Sequence, residues 1–147
     1  MPVRPAIIPT LRYKDAPAAI DFLCDAFGFA RHAVYPDDKD SATIHHAQLV
    51  RDGNMIMLGS AADSPYVTAA RMKSVADAGG VTQALYIVID DVDGHAERAR
   101  AAGADIFMEP EDQNYGGRNY SARDPEGNVW SFGSYDPWAD AGSVEQA

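Results

Sequence analysis

The sequence predicts an α+β fold: two βαβββ modules in tandem, their sheets curving into a cup. Three observations predict it. The stretch "DGNMIMLGS" at 52–60 returns as "EGNVWSFGS" at 126–134, 74 positions later. Ahead of each copy runs a segment with one apolar helical face and a closing glycine, Gly28 or Gly103, 75 positions apart. Short runs of alternating apolar residues fill the rest of each half, as half-buried strands do. A set of elements recurring in one order at one spacing is the mark of a duplicated unit.

The elements follow in order. Thr10 and Arg12 belong to a first strand within "IIPTLRYKD". In "APAAIDFLCDAFGF", Ile20, Leu23, Cys24 and Phe27 fall at i, i+3, i+4 and i+7 and make the buried face of a helix. Asp15 suits its N-cap, and Pro17 a first turn where a missing N–H costs little. "ARHAVYP", "TIHHAQLV" and "GNMIMLGS" complete the first module as strands. In the second, Leu85, Ile87 and Ile89 alternate with Tyr86 and Val88. Val92, Ala96 and Ala99 then form a helix face, with Asp90 in the position of Asp15. "ADIFMEP", "RNYSARD" and "GNVWSFGSY" are the closing strands. Residues 5–60 are thus the first module, 61–80 a linker of mobile composition, 81–138 the second module and 139–147 a polar tail. The two modules together make one domain.

Composition narrows the function classes. Twelve basic residues against 22 acidic ones leave a net charge of −10, which would repel phosphates. Nucleic acid and anionic membrane surfaces are therefore not expected partners. Hydrophobic residues, at 46%, suffice for a core, yet no run approaches a membrane span, and no signal-peptide stretch opens the chain. A cytoplasmic protein is the expectation. The single cysteine, Cys24, excludes an internal disulfide and fits the helix core better than a nucleophile's role.

The ordered set "LRYKDAPAAIDFLCDAFGF", "HHAQLVRDGNMIML" and "LYIVIDDVDGHAERARAAGADIFMEPEDQNYGGRNYSARDPEGNVWSF" resembles the vicinal oxygen chelate superfamily over residues 5–138. This is the glyoxalase, bleomycin-resistance and dioxygenase group. "PEDQNYGGR" followed by "RDPEGNVWS" is similar to its PhnB-like, glyoxalase-like branch. The resemblance implies paired modules around a deep cup, a small-molecule ligand and a homodimer. One such scaffold carries many chemistries, so it does not name the function.

Metal-dependent members of that group carry a ligand on the first and last strand of each module. Carried onto this chain, those positions are Ile8 or Pro9, Met57, Gln83 or Ala84, and Ser131. None is His, Glu, Asp or Cys, whereas a catalytic divalent metal takes about three protein ligands. No metal and no cofactor are therefore expected. The four histidines offer little substitute. His45 and His46 are neighbours on a strand and point to opposite faces, His32 opens a strand, and His95 follows Gly94 on or near the solvent side of the second helix.

Strand parity nominates a cup lining instead. His46 and Gln48 alternate with the apolar Ala47 and Leu49. Met55, Met57 and Gly59 match Val129, Ser131 and Gly133, while Ile56, Leu58, Trp130 and Phe132 turn toward the helices. Thr10, Arg12, Tyr86 and Val88 join the cup side, and Tyr135 continues it. Arg118, in the "YGGR" rim with Gln113 and Tyr115, is placed to meet an anionic group. The ligand-binding candidates are His46, Gln48, Met55, Met57, Tyr86, Arg118, Ser131 and Tyr135. A Met-rich wall adapts to flat or irregular apolar shapes, but the same methionines also suit the filling of a small barrel. Asp124, Pro125 and Gly127 read as a structural turn before the last strand. Two function classes stand open. One is a metal-free protein binding a small, partly apolar compound. The other is a metal-dependent lyase, isomerase or dioxygenase with non-standard ligands such as His46. A metal-free enzyme using His46 or Tyr86 as an acid–base group is a thinner third.

Overall fold

The structure, a computed structural model, describes residues 2–139, so most of the expected tail lies outside the described residues. It is α+β, with two curved four-stranded sheets. Contacts divide the chain between Gly80 and Val81 into two units, one sheet in each.

In the first unit, β1 (Thr10–Tyr13) leads into α1 (Ala16–Phe27), then β2 (Ala30–Pro36), β3 (Ile44–Arg51) and β4 (Asn54–Ser60). The sheet order is β1-β4-β3-β2, with β1 parallel to β4 and the other pairs antiparallel. Asp15 caps α1 by accepting from the Ala18 amide at 3.1 Å, and Gly28 ends it at φ +83°, where only glycine is free of strain. Ile20, Leu23 and Phe27 of α1 are buried with Leu11, Tyr13, Ala47, Leu49, Ile56 and Leu58, the alternate residues of the strands. One side of the sheet is therefore packed by the helix, and the other is open.

The second unit repeats this plan. It runs β5 (Leu85–Val88), a helix at Val92–Ala101, then β6 (Asp105–Asp112), β7 (Arg118–Arg123) and β8 (Val129–Gly133), in the order β5-β8-β7-β6. Its helix-side core is Trp130, Phe132, Tyr120, Ala122, Val92, Ala96 and Ala99. Trp130 reaches past apolar neighbours to donate its indole N–H to Asp124 at 3.1 Å. The same carboxylate accepts from the amides of Glu126 and Asn128, so the expected turn before the last strand hangs on one buried side chain.

The pairings sharpen the repeat. Thr10 faces Met57 as Tyr86 faces Ser131, so the offset is 76 positions on the first strand and 74 on the last. The helix cap shifts accordingly. Asp91, not Asp90, accepts from the Gly94 amide at 3.0 Å.

The linker is more ordered than its composition suggests. It forms α2 (Pro65–Ala70) and α3 (Val75–Ala78), which makes the helix at Val92–Ala101 α4. Ser64 and Ser74 cap the two short helices, and Val67 and Ser74 are buried. His95 also departs from expectation: it faces inward from α4, its Nδ1 2.5 Å from the Tyr120 hydroxyl and its ring 4.2 Å from that of Phe132. Cys24 is only half-buried, at the margin of the α1 face, where Arg31 Nη1 donates to its sulfur at 3.6 Å. Among the described residues no helix is long and apolar enough to cross a membrane.

Candidate functional site

The open face of the first sheet takes its side chains from residues that alternate with the core. β4 supplies Met55, Met57 and Gly59; β3 supplies His46 and Gln48; β1 supplies Thr10 and Arg12. Met55, Met57, His46 and Gln48 are all half-buried. Gln48 Nε2 lies 3.0 Å from His46 Nε2, and the His46 ring stacks on Tyr35 with centroids 6.0 Å apart. Gly59 is buried although it has no side chain, because the Arg12 guanidinium lies over it; a Cβ at Gly59 would collide with Arg12 Nη1. The guanidinium carbon also sits 5.7 Å from the ring centroid of Tyr66, on α2. This face is thus two thioethers and an imidazole–amide pair beside one cation.

The second sheet's open face centres on hydroxyl groups. Ser131 pairs with both Tyr86 and Ser121, and the two serine hydroxyls are 2.7 Å apart. The Tyr86 hydroxyl fills the space over Gly133, 2.6 Å from where a Cβ would stand, and donates to the Tyr135 carbonyl at 2.7 Å. Tyr115 packs edge-on against Tyr135 and accepts from the Asn119 amide at 3.0 Å. Gln113 donates to the Asn119 carbonyl oxygen, so the 113–117 turn is tied to β7 from above. Burial, and then the negative charge of a nearby ionised Tyr115, hold the Tyr86 phenol above its ordinary pKa.

Seven of the eight sequence candidates fall into these two sets. His46, Gln48, Met55 and Met57 share the first open face, and Tyr86, Ser131 and the Tyr135 backbone gather on the second. Arg118 stands apart. It has the parity of buried Tyr120 and Ala122, so it turns to the helix side, where it donates to Asp93 of α4 at 3.0 Å and to Asp112 at 3.3 Å. Those bonds, to Asp93 first, raise its pKa above the ordinary arginine value. Arg12 is the residue that reading for function passed over. Its place on the cup side was legible in the parity of β1; that it meets no carboxylate among the described residues was not.

The donor set does not fit the metal centre that the fold family implies. Met57 offers a soft thioether, poor for zinc, magnesium or manganese, and the Ser131 hydroxyl is engaged with Ser121. Gln83 and Ala84 precede β5 and bring at most one amide. Among the described residues no three His, Cys, Asp or Glu side chains come together in a way that would hold an ion.

Comparison with known proteins agrees with this architecture. A family model described as Glyoxalase/Bleomycin resistance protein/Dioxygenase superfamily matches residues 7–132. Uncharacterized proteins of Mycobacterium bovis and Mycobacterium tuberculosis are 34% identical over 133 residues, which is 89% of this chain and 84% and 75% of theirs. Among solved structures, TioX from Micromonospora sp. ML1 is 30% identical with a TM-score of 0.66, over 88% of this chain and 98% of TioX. The fosfomycin resistance protein FosX from Listeria monocytogenes, solved with Mn(II) and sulfate, matches with a TM-score of 0.63 over 91% of this chain and 94% of its own. At 18% identity it is a likeness of fold alone.

Proposed function

We propose that this chain, which belongs to the Glyoxalase/Bleomycin resistance protein/Dioxygenase superfamily, binds a small, partly apolar compound against an open sheet face and does so without a metal. The observation that carries the reading is the pair Met57 and Ser131. They occupy equivalent places, each opposite the first strand of its module, and these are the positions to which the family resemblance carries a metal ligand. A thioether and a hydroxyl bonded to its serine neighbour make a lining, not a coordination sphere. Apolar walls with a few converging polar groups are the common make-up of small-molecule sites. On the first sheet Met55 and Met57 supply the wall and the His46–Gln48 pair the polar contacts; on the second Tyr86 supplies a wall and Ser131 a polar contact. The PhnB-like branch and a homodimeric assembly complete the proposal. The first is supported by the motif "PEDQNYGGR … RDPEGNVWS", the second by the assembly that the family resemblance implies.

Metal loading tests the reading directly. Protein incubated with zinc, nickel, manganese or iron(II) and then desalted should retain well under one equivalent per chain. One equivalent, with a matching rise in thermal stability, would overturn it in favour of a metal-dependent lyase, isomerase or dioxygenase using unfamiliar ligands.

A further inference from the structure

We propose that Arg12 is an anion-recognition subsite on the open face of the first sheet, and that the ligand of this face carries a carboxylate beside its apolar body. The inference rests on the reading of that face as a binding surface and adds the ligand's charge and where it docks.

The argument begins with charge. This protein has 12 basic residues to 22 acidic ones, so a guanidinium has carboxylates in good supply. Arg31 pairs with Asp21, Arg51 with Asp52, Arg100 with Glu97 and Glu109, Arg118 with Asp93 and Asp112, and Arg123 with Asp105. Arg12 pairs with none of the described residues. Its Nε is buried and makes no hydrogen bond among them. A buried N–H of a cation without an acceptor costs more than one left in water, so the fold leaves this guanidinium under-satisfied and its charge uncompensated.

The surroundings hold the guanidinium in place without satisfying it. Gly59 gives it a floor, since any side chain there would displace Nη1. Tyr66 covers it with an aromatic ring, a contact that favours the cation but offers no acceptor to its N–H groups. The planar fork is thereby fixed, and a fixed fork suits the two oxygens of a carboxylate. Met57 is two residues before Gly59 on β4, on the same face, and provides the apolar surface on which the rest of such a ligand would lie. One cation matches one negative charge.

The test compares 2-naphthoate with 2-naphthamide, equal in shape and unequal in charge, by titration calorimetry on the full chain. Wild type should bind the carboxylate about ten-fold more tightly than the amide, the scale of one charge-assisted pair. Arg12→Gln should bring that ratio to about one while leaving the amide within about two-fold, and Arg12→Lys should restore part of it. Gly59→Ala, which keeps the arginine but pushes it aside, should also lower the ratio, so the test does not hang on one variant folding. Met57→Glu sets a carboxylate on the neighbouring strand from Arg12 and should weaken naphthoate more than naphthamide. An amide that binds as well as the carboxylate in wild type, or a preference that survives in folded Arg12→Gln, overturns the subsite and leaves the binding face standing. If both compounds bind and neither responds to Met57→Glu, the face itself is misassigned and the subsite falls with it.

Discussion

Tyr86 has a hydroxyl with a single assignment: it donates to the Tyr135 carbonyl and fills the space over Gly133. Its pKa is raised, by burial first and then by the negative charge of a nearby ionised Tyr115. A group whose folded pKa lies above its unfolded one contributes stability that is complete below the unfolded value, about 10 for tyrosine, and is lost as pH rises through the folded value. In an alkaline ultraviolet titration Tyr86→Phe should therefore remove one tyrosine step that lies above pH about 10. A Tyr86→Phe protein with an unchanged titration curve would contradict the assignment. At this scale much of the site was legible, because alternation alone put Met55, Met57 and Gly59 on one face. Arg118 was not. The two glycines before it suggested a rim loop, but it already belongs to β7 and shares the parity of Tyr120. His95 escaped for a related reason. α4 is short and mostly polar, so its apolar face was too sparse to show that a histidine completed it, and the bond to Tyr120 joins residues 25 apart in the chain.

Between residue and fold, the turn held by Asp124 shows how much an element can depend on one carboxylate. Asp124 is 4% exposed, and its two oxygens accept from the Glu126 and Asn128 amides and the Trp130 indole. Removing it strands a buried indole N–H and frees the turn that sets the register of β8, and β8 in turn positions Ser131. Asp124→Ala should cost about 3 kcal/mol, or about 10 °C in Tm for a chain of this size, while Asn should cost less because its carbonyl still accepts. Calorimetric melting decides this, and a shift within a degree or two would mean that the turn is held by its glycine alone. The motif "DPEG" announced a turn; the bond to Trp130 was not readable, since strand parity does not set which way an indole N–H points along the strand. Elements with strong local chemistry, such as α1 between Asp15 and Gly28, were readable to within a residue or so. α2 and α3 were not. They are short helices whose signals are single capping serines within a run of small residues.

The whole molecule is two copies of one plan, and the copies slipped against each other by single residues without losing it. The offset of 76 at Thr10 and Tyr86 falls to 74 at Met57 and Ser131, the change being absorbed between the strands. A duplicated sheet also doubles its edges. β1 and β2 flank one sheet, β5 and β6 the other, and Phe107 and Met108 on β6 leave apolar surface exposed. Such edges ask for cover. A symmetric homodimer, with a mass about twice 15.8 kDa by light scattering at micromolar concentration, is the expected assembly; a monomer mass would refute it.

The boundary at Gly80 has a practical consequence. Every strand pairing among the described residues lies wholly on one side of it or the other, and a side chain at Gly80 would meet nothing within 4 Å. A fluorescent reporter could be spliced in at that point without unpairing a strand, as exposed small-residue sites generally permit. The same splice ten or fifteen residues earlier would pull Tyr66 from Arg12. A sensor engineered from this scaffold should therefore be opened at its glycines, and its linker helices left alone.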